Sequence, residues 1–82
     1  MSAALAPARR TKLALRLRQA ELRLRAASMR CYAARLEIDA EAIELMLDDE
    51  PATLPNLELL HAQQDAVKYA LEAESLRQEL AA

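Results

Sequence analysis

Residues 13–47 read LALRLRQAELRLRAASMRCYAARLEIDAEAIELML, and the placing of apolar residues in this stretch decides the fold. Leu15, Leu22, Met29, Leu36 and Ile43 recur at strict seven-residue spacing, flanked four residues on by Ala26, Ala33, Ala40 and Leu47. A second series, Leu17, Leu24, Cys31, Ile38 and Leu45, runs at the same spacing, with Leu13, Ala20, Ala27 and Ala34 four residues earlier. At about 100° per residue, positions two apart lie roughly 200° apart around an α-helix. The stretch therefore reads as one long helix with apolar stripes on two nearly opposite faces. The short alternation of Leu13, Leu15 and Leu17, and of Leu22 and Leu24, suits a strand locally. The residues between are helix formers and no turn signal separates the runs, so the wider period prevails.

The one clear break lies between Asp48 and Pro55. Pro51 and Pro55 cannot continue a running helix, but proline is tolerated in the first turn of the next. The expected organisation is an N-terminal arm over 1–7, helix 1 over 8–49, a turn over 50–53 and helix 2 over 54–82, with 8–82 a single all-α domain. Thr53 is the expected N-cap, with Glu58 near the new N-terminus. Pro7 suits either a first helical turn or the arm. So short a connection makes the helices antiparallel neighbours, a coiled-coil-like hairpin.

Helix 2 supplies a matching seam in Leu59, Ala62, Ala66, Tyr69, Ala73, Leu76 and Leu80, spaced alternately three and four. It can cover only one face of helix 1, whereas an ordinary surface helix has a single apolar stripe. The intrachain seam is expected to join Leu15, Leu22, Met29, Leu36 and Ile43 to Leu59, Ala66, Tyr69, Leu76 and Leu80. That leaves Leu13, Leu17, Leu24, Cys31, Ile38 and Leu45 to bind another chain, with a homodimeric helical bundle as the expected assembly. Helix 2 is further expected to end near residues 22–25 of helix 1, leaving Leu13, Leu15 and Leu17 as a projecting apolar tip.

Composition agrees with helix. Glycine, phenylalanine and tryptophan are absent, and the only aromatics are Tyr32 and Tyr69. Alanine, leucine, arginine and glutamate dominate, as in long helices and coiled coils. Eighty-two residues make at most one domain, and small domains without disulfides or metal often rely on oligomerisation. Cys31 is the only cysteine, so no intrachain disulfide forms and a reducing setting is expected. Residues 1–10 lack the apolar core of a signal peptide and end in arginines, and no stretch matches a membrane span. The chain reads as soluble and cytoplasmic.

Charge is divided along the chain. Residues 1–35 hold nine basic residues and one acid, Glu21, whereas residues 36–82 hold two bases, Lys68 and Arg77, and twelve acids. Within helix 1 the bases come first, which is the wrong way round for the helix macrodipole. Antiparallel pairing explains it: a reversed second copy of helix 1 sets its acidic half against this basic half. Glu72, Glu74 and Glu79 of helix 2 are similarly expected near Arg23, Arg25 and Arg30. Exposed ion pairs contribute about 0–1 kcal/mol each, so their role is to select orientation and partner.

Catalytic and metal chemistry find no constellation. His61, beside Gln63, Gln64 and Asp65, makes no ligand set. Cys31 has Arg30 and Arg35 nearby but no histidine at plausible spacing for nucleophilic catalysis. Asp48, Asp49 and Glu50 lack the spacing of a calcium loop and read as a solvated bend. No catalytic residue, metal, cofactor or small-molecule substrate is expected.

The expected function is protein–protein interaction, as an inhibitor, adaptor or chaperone-like escort. The competing reading is nucleic-acid binding through Arg9, Arg10, Lys12, Arg16, Arg18, Arg23, Arg25, Arg30 and Arg35. Arg16, Arg23 and Arg30 form one ridge at sevens, and Arg18 and Arg25 another. In architecture and size the chain resembles the ROP type of homodimeric RNA-binding hairpin. Over Pro55 to Ala73, a proline-containing turn followed by an Ala-rich helix, its format is similar to the small hairpin co-chaperones that mask type III secretion needle subunits. It is also similar in format to small bacteriophage proteins that occupy a surface of the host machinery, and the Ala/Leu/Arg-rich composition would suit a high-GC bacterial or phage genome.

Overall fold

Pro7 opens the first helix because a first helical position needs no N–H of its own and proline's φ is already near the helical value. The computed structural model describes residues 6–48 and 56–82, which form α1, Pro7–Leu47, and α2, Leu57–Ala81. No strand occurs among the described residues. Ala6 gives α1 no side-chain cap, though the Thr11 hydroxyl donates to the Pro7 carbonyl at 3.0 Å. At the other end the N–H of Asp48 donates to the Glu44 carbonyl at 3.1 Å. The first turn of α1 carries no acid and its last turn no base, so its charges oppose the macrodipole as the sequence indicates.

The second helix begins later than expected. Asn56 is its N-cap: the side-chain oxygen accepts from the Leu59 N–H at 3.0 Å, and Glu58 follows in the first turn. Asparagine is among the strongest N-capping residues, better than threonine, and it stands directly before the apolar run. The expected turn over 50–53, residue 49 of the expected first helix, Thr53 and residues 54 and 55 lie outside the described residues.

The whole of α2 packs beside α1, from about Glu37 back to the N-terminal end of α1, in a rod of 67 × 17 × 13 Å. Leu13 and Ala20 of α1 form a buried cluster with Ala73 and Leu76 of α2, and Leu17 and Leu80 pack against it. Farther along, Ala33 and Ala34 share a cleft with His61 and Ala62. Opposite sequence directions in these two contacts make the pair antiparallel.

Two expectations are corrected here. First, α2 does not end near residues 22–25: the Arg10 guanidinium donates to the Leu80 carbonyl at 3.2 Å, and Leu13 and Leu17 pack against α2 instead of forming a projecting tip. The expected endpoint assumed that α2 starts across from the end of α1. In the structure Glu58 shares its cleft with Glu37, well short of Leu47, so α2 reaches the N-terminal end of α1. The contact also serves α2, whose last turn has no base of its own; Arg10 supplies one to its C-terminal carbonyls.

Second, the two stripes of α1 exchange roles. The residues in the seam are Leu13, Ala20, Ala27 and Ala34, all buried, with Leu17, Leu24, Cys31, Ile38 and Leu45 half-buried. Leu15, Leu22, Met29, Leu36 and Ile43, expected inside, lie on the outer face and are exposed. Size matching suits this stripe, as it would the outer one with its Ala26, Ala33 and Ala40. What separates the two is Gln19, a polar side chain four residues after Leu15, whereas the inner stripe is apolar from Leu13 to Ile38. The buried or half-buried line of α2 alternates alanine (Ala62, Ala66, Ala73) with Leu59, Tyr69, Leu76 and Leu80. The Leu13–Ala34 stripe has an alanine at nearly every other position, so small residues on each helix receive large ones from the other and the backbones approach closely. Ala27 and Ala73 are both 0 % exposed.

Candidate interaction surface

The outer face of α1 is built by the same helical geometry that makes the seam. Each residue two along from a seam position is turned roughly 200° from it, so Leu15, Leu22, Met29, Leu36 and Ile43 point away from α2. Their exposures are 66, 48, 65, 51 and 58 %. Ala26, Ala33 and Ala40 fill the gaps between them, and Leu47 extends the line; all are exposed. The result is an apolar strip along nearly the whole of α1, interrupted once by Gln19 between Leu15 and Leu22. Single exposed leucines need no explanation, but a strip of this length marks a contact surface.

Charged side chains border the strip on both sides. One border carries Arg16, Arg23, Arg30, Glu37 and Glu44, and the other Arg18, Arg25, Tyr32 and Asp39, all exposed. Basic residues flank its N-terminal half and acidic ones its C-terminal half. The strip is therefore apolar along the middle and electrically polar from end to end.

Some of these charges also meet α2. Arg30 pairs with Asp65 at 3.2 Å, and Arg77 pairs with Glu21 at 3.8 Å and with Glu74 at 3.5 Å. Arg23 lies over the Tyr69 ring at 5.8 Å, with Lys68 at 5.4 Å from the same ring. The expected approach of Glu72, Glu74 and Glu79 to Arg23, Arg25 and Arg30 is thus replaced: Arg30 has Asp65, and Glu74 has Arg77. The longer reach of α2 toward the N-terminus of α1 causes the shift.

The residues expected to bind a partner, Leu13, Leu17, Leu24, Cys31, Ile38 and Leu45, lie on the buried or half-buried stripe of α1. On α2 the expected seam residues Leu59, Ala66, Tyr69, Leu76 and Leu80 are buried or half-buried. Of the arginines singled out for phosphate or acidic partners, Arg9, Arg10, Arg16, Arg18, Arg23, Arg25 and Arg30 are all exposed. Cys31 is half-buried with a free thiol. His61 lines the cleft holding Glu37, Glu58 and Asp65, yet no group of three His, Cys, Asp or Glu side chains among the described residues is placed to hold a metal ion. No described helix is long and apolar enough to cross a membrane.

One feature escaped the sequence reading. Leu57, Leu60, Val67 and Leu71 of α2 are also exposed, at 46 to 66 %. Leu60 and Val67 each follow a seam residue by one and stand seven apart, which is the signal that was present. The patch is shorter than that of α1 and is interrupted by His61, Gln64 and Lys68. The chain matches no protein-family model, no curated protein and no solved structure.

Proposed function

We propose that this chain is a non-enzymatic protein–protein interaction module whose binding element is the face of α1 that α2 leaves bare. One observation carries the reading: five large apolar residues at strict sevens, each about half to two-thirds exposed, on a helix whose other stripe is already used. Removing such a strip from water is favourable by about 25 cal/mol per Å² of apolar area. A module of this kind blocks, escorts or scaffolds its partner by occupying a surface. The test is Leu22→Asp with Leu36→Asp, which places two charges on the strip without touching the seam. Helix content by circular dichroism should persist, while self-association and capture of a host protein should both be lost. If the binding seen in wild type survives the double change, the reading fails.

A second reading, nucleic-acid binding, is favoured by the exposure of the ridge residues Arg16, Arg18, Arg23 and Arg25. Phosphate binding weakens steeply with salt, so a mobility-shift titration at two salt concentrations decides it. Absence of a shift at low salt disposes of this alternative.

A further inference from the structure

We infer that the bare strip of α1 is occupied by the same strip of a second copy, running antiparallel, in one register centred near Cys31. This rests on the interaction-module reading and names its partner. The first argument is period. A straight helix drifts about 20° per heptad against a seven-residue repeat, so a stripe that keeps strict sevens from Leu15 to Ile43 follows a partner helix wound alongside it. The seam to α2 has that period for that reason. The outer strip keeps it too, with no helix of its own chain to follow.

The second argument is size. Laid against a reversed copy at full overlap, Leu22 faces Ala40 of the copy, Ala26 faces its Leu36, and Met29 faces its Ala33. Large residues meet small ones through the middle of the contact, the rule already seen between α1 and α2. Leu15 meets Leu47 at the two ends, and just inside them Ile43 meets Gln19, the one polar side chain in the strip.

The third argument is charge. In this register Arg16 lies beside Glu44 of the copy, Arg23 beside its Glu37, and Arg25 beside its Asp39, and symmetry doubles each pairing. A parallel arrangement would instead set the arginines of one border against those of the other, Arg16 near Arg18 and Arg23 near Arg25. One like-charge meeting remains, Arg30 with the Arg30 of the copy on the two-fold axis, and this is the arginine that Asp65 already pairs at 3.2 Å. Glu37 and Glu58 line one cleft with Asp65 and Arg30, and Arg23 of the copy adds a second positive charge beside it.

The full chain is tested in two measurements. Light scattering at micromolar concentration should give twice the 9.1 kDa chain mass. In a Cys31→Ala background, chains carrying Leu22→Cys mixed with chains carrying Ala40→Cys should form a disulfide-linked heterodimer on mild oxidation. Neither chain oxidised alone should link to itself. A monomeric wild type overturns the inference, as does linkage of the Leu22→Cys chain with itself, which marks a parallel pair. Linkage of Ala40→Cys to Met29→Cys in place of Leu22→Cys overturns the register. A monomer would not by itself defeat the interaction-module reading. That reading falls if the binding seen in wild type, to itself or to a captured protein, survives Leu22→Asp with Leu36→Asp.

Discussion

Arg77 of α2 reaches Glu21 of α1 at 3.8 Å across the seam, while its other terminal nitrogen lies 3.5 Å from Glu74 of its own helix. Glu21 is the only acid in residues 1–35, and Arg77 is one of two bases in residues 36–82. Two of the three exceptions to the charge division of the chain have found each other, the third being Lys68. On the opposite flank Arg30 meets Asp65, but the acids Glu58, Asp65, Glu72 and Glu79 recur there at sevens. A slip of one heptad would leave Arg30 with another acid. The same slip would set Glu21 against Ala70, so the Glu21–Arg77 pair is the contact specific to one register.

A double-mutant cycle on Glu21→Gln and Arg77→Gln should therefore return a coupling of about 0.2–1 kcal/mol, as expected for a half-exposed pair. Denaturant unfolding at low salt measures it. In 1 M salt, where the Debye length falls to about 3 Å, the coupling should shrink toward zero. Zero coupling at low salt would mean the pair does not form in solution.

The exchanged stripes make a sharper test. Ala27 is wholly enclosed between the helices, so Ala27→Leu overpacks the seam and should cost about 1–3 kcal/mol of hairpin stability. Met29→Leu, two residues away on the outer face, should leave the hairpin nearly unchanged. Any loss from outer-face truncations such as Leu22→Ala should depend on protein concentration, because it acts through association, whereas the Ala27→Leu loss should not. Thermal melts across a hundredfold dilution separate the two. Equal and concentration-independent losses would reverse the assignment of faces.

Much of the fold was legible because two seven-residue series, offset by two, admit one reading: a long helix with opposed apolar faces. Which face turns inward was not legible from bulk. Both stripes alternate large residues with alanine, three alanines on each, and along the length that α2 covers only the polar Gln19 in the Leu15–Ile43 stripe tells them apart. The register was hidden for a different reason. Pro51 and Pro55 both break a helix, and only the choice between Thr53 and Asn56 as cap tells where the next one begins. A start at Leu57 beside Glu37 shifts every pairing, which is why Arg30 meets Asp65 and not an acid of the last two turns.

The cap itself is testable. Asn56→Ala removes the acceptor for the Leu59 N–H, an otherwise orphan donor in the first turn of α2, and should cost about 1 kcal/mol. Asn56→Asp should be neutral or slightly stabilising, since a carboxylate keeps the acceptor and adds favourable charge at the positive end of the helix. Urea titrations of both variants check this. A cost for Asp as large as that for Ala would argue that Asn56 matters for its backbone conformation and not for its side chain.

Charge complementarity between copies gives the last prediction. Arg25 and Asp39 border the outer strip, and neither pairs with α2 among the described residues. Changing them therefore leaves the Arg30–Asp65, Arg77–Glu21 and Arg77–Glu74 pairs intact. A chain with Arg25→Glu sets two acidic contacts in its own antiparallel dimer, and a chain with Asp39→Arg sets two basic ones, so each should self-associate several-fold more weakly than wild type. Mixed together they restore opposite charges at both contacts. At about 0–1 kcal/mol per exposed pair the mixed dimer should be favoured by up to roughly tenfold, and the preference should fade with added salt. Native mass spectrometry of the mixture, with one chain isotopically labelled, counts the three species. A statistical 1:2:1 distribution at low salt would remove the charged borders from any part in choosing the partner.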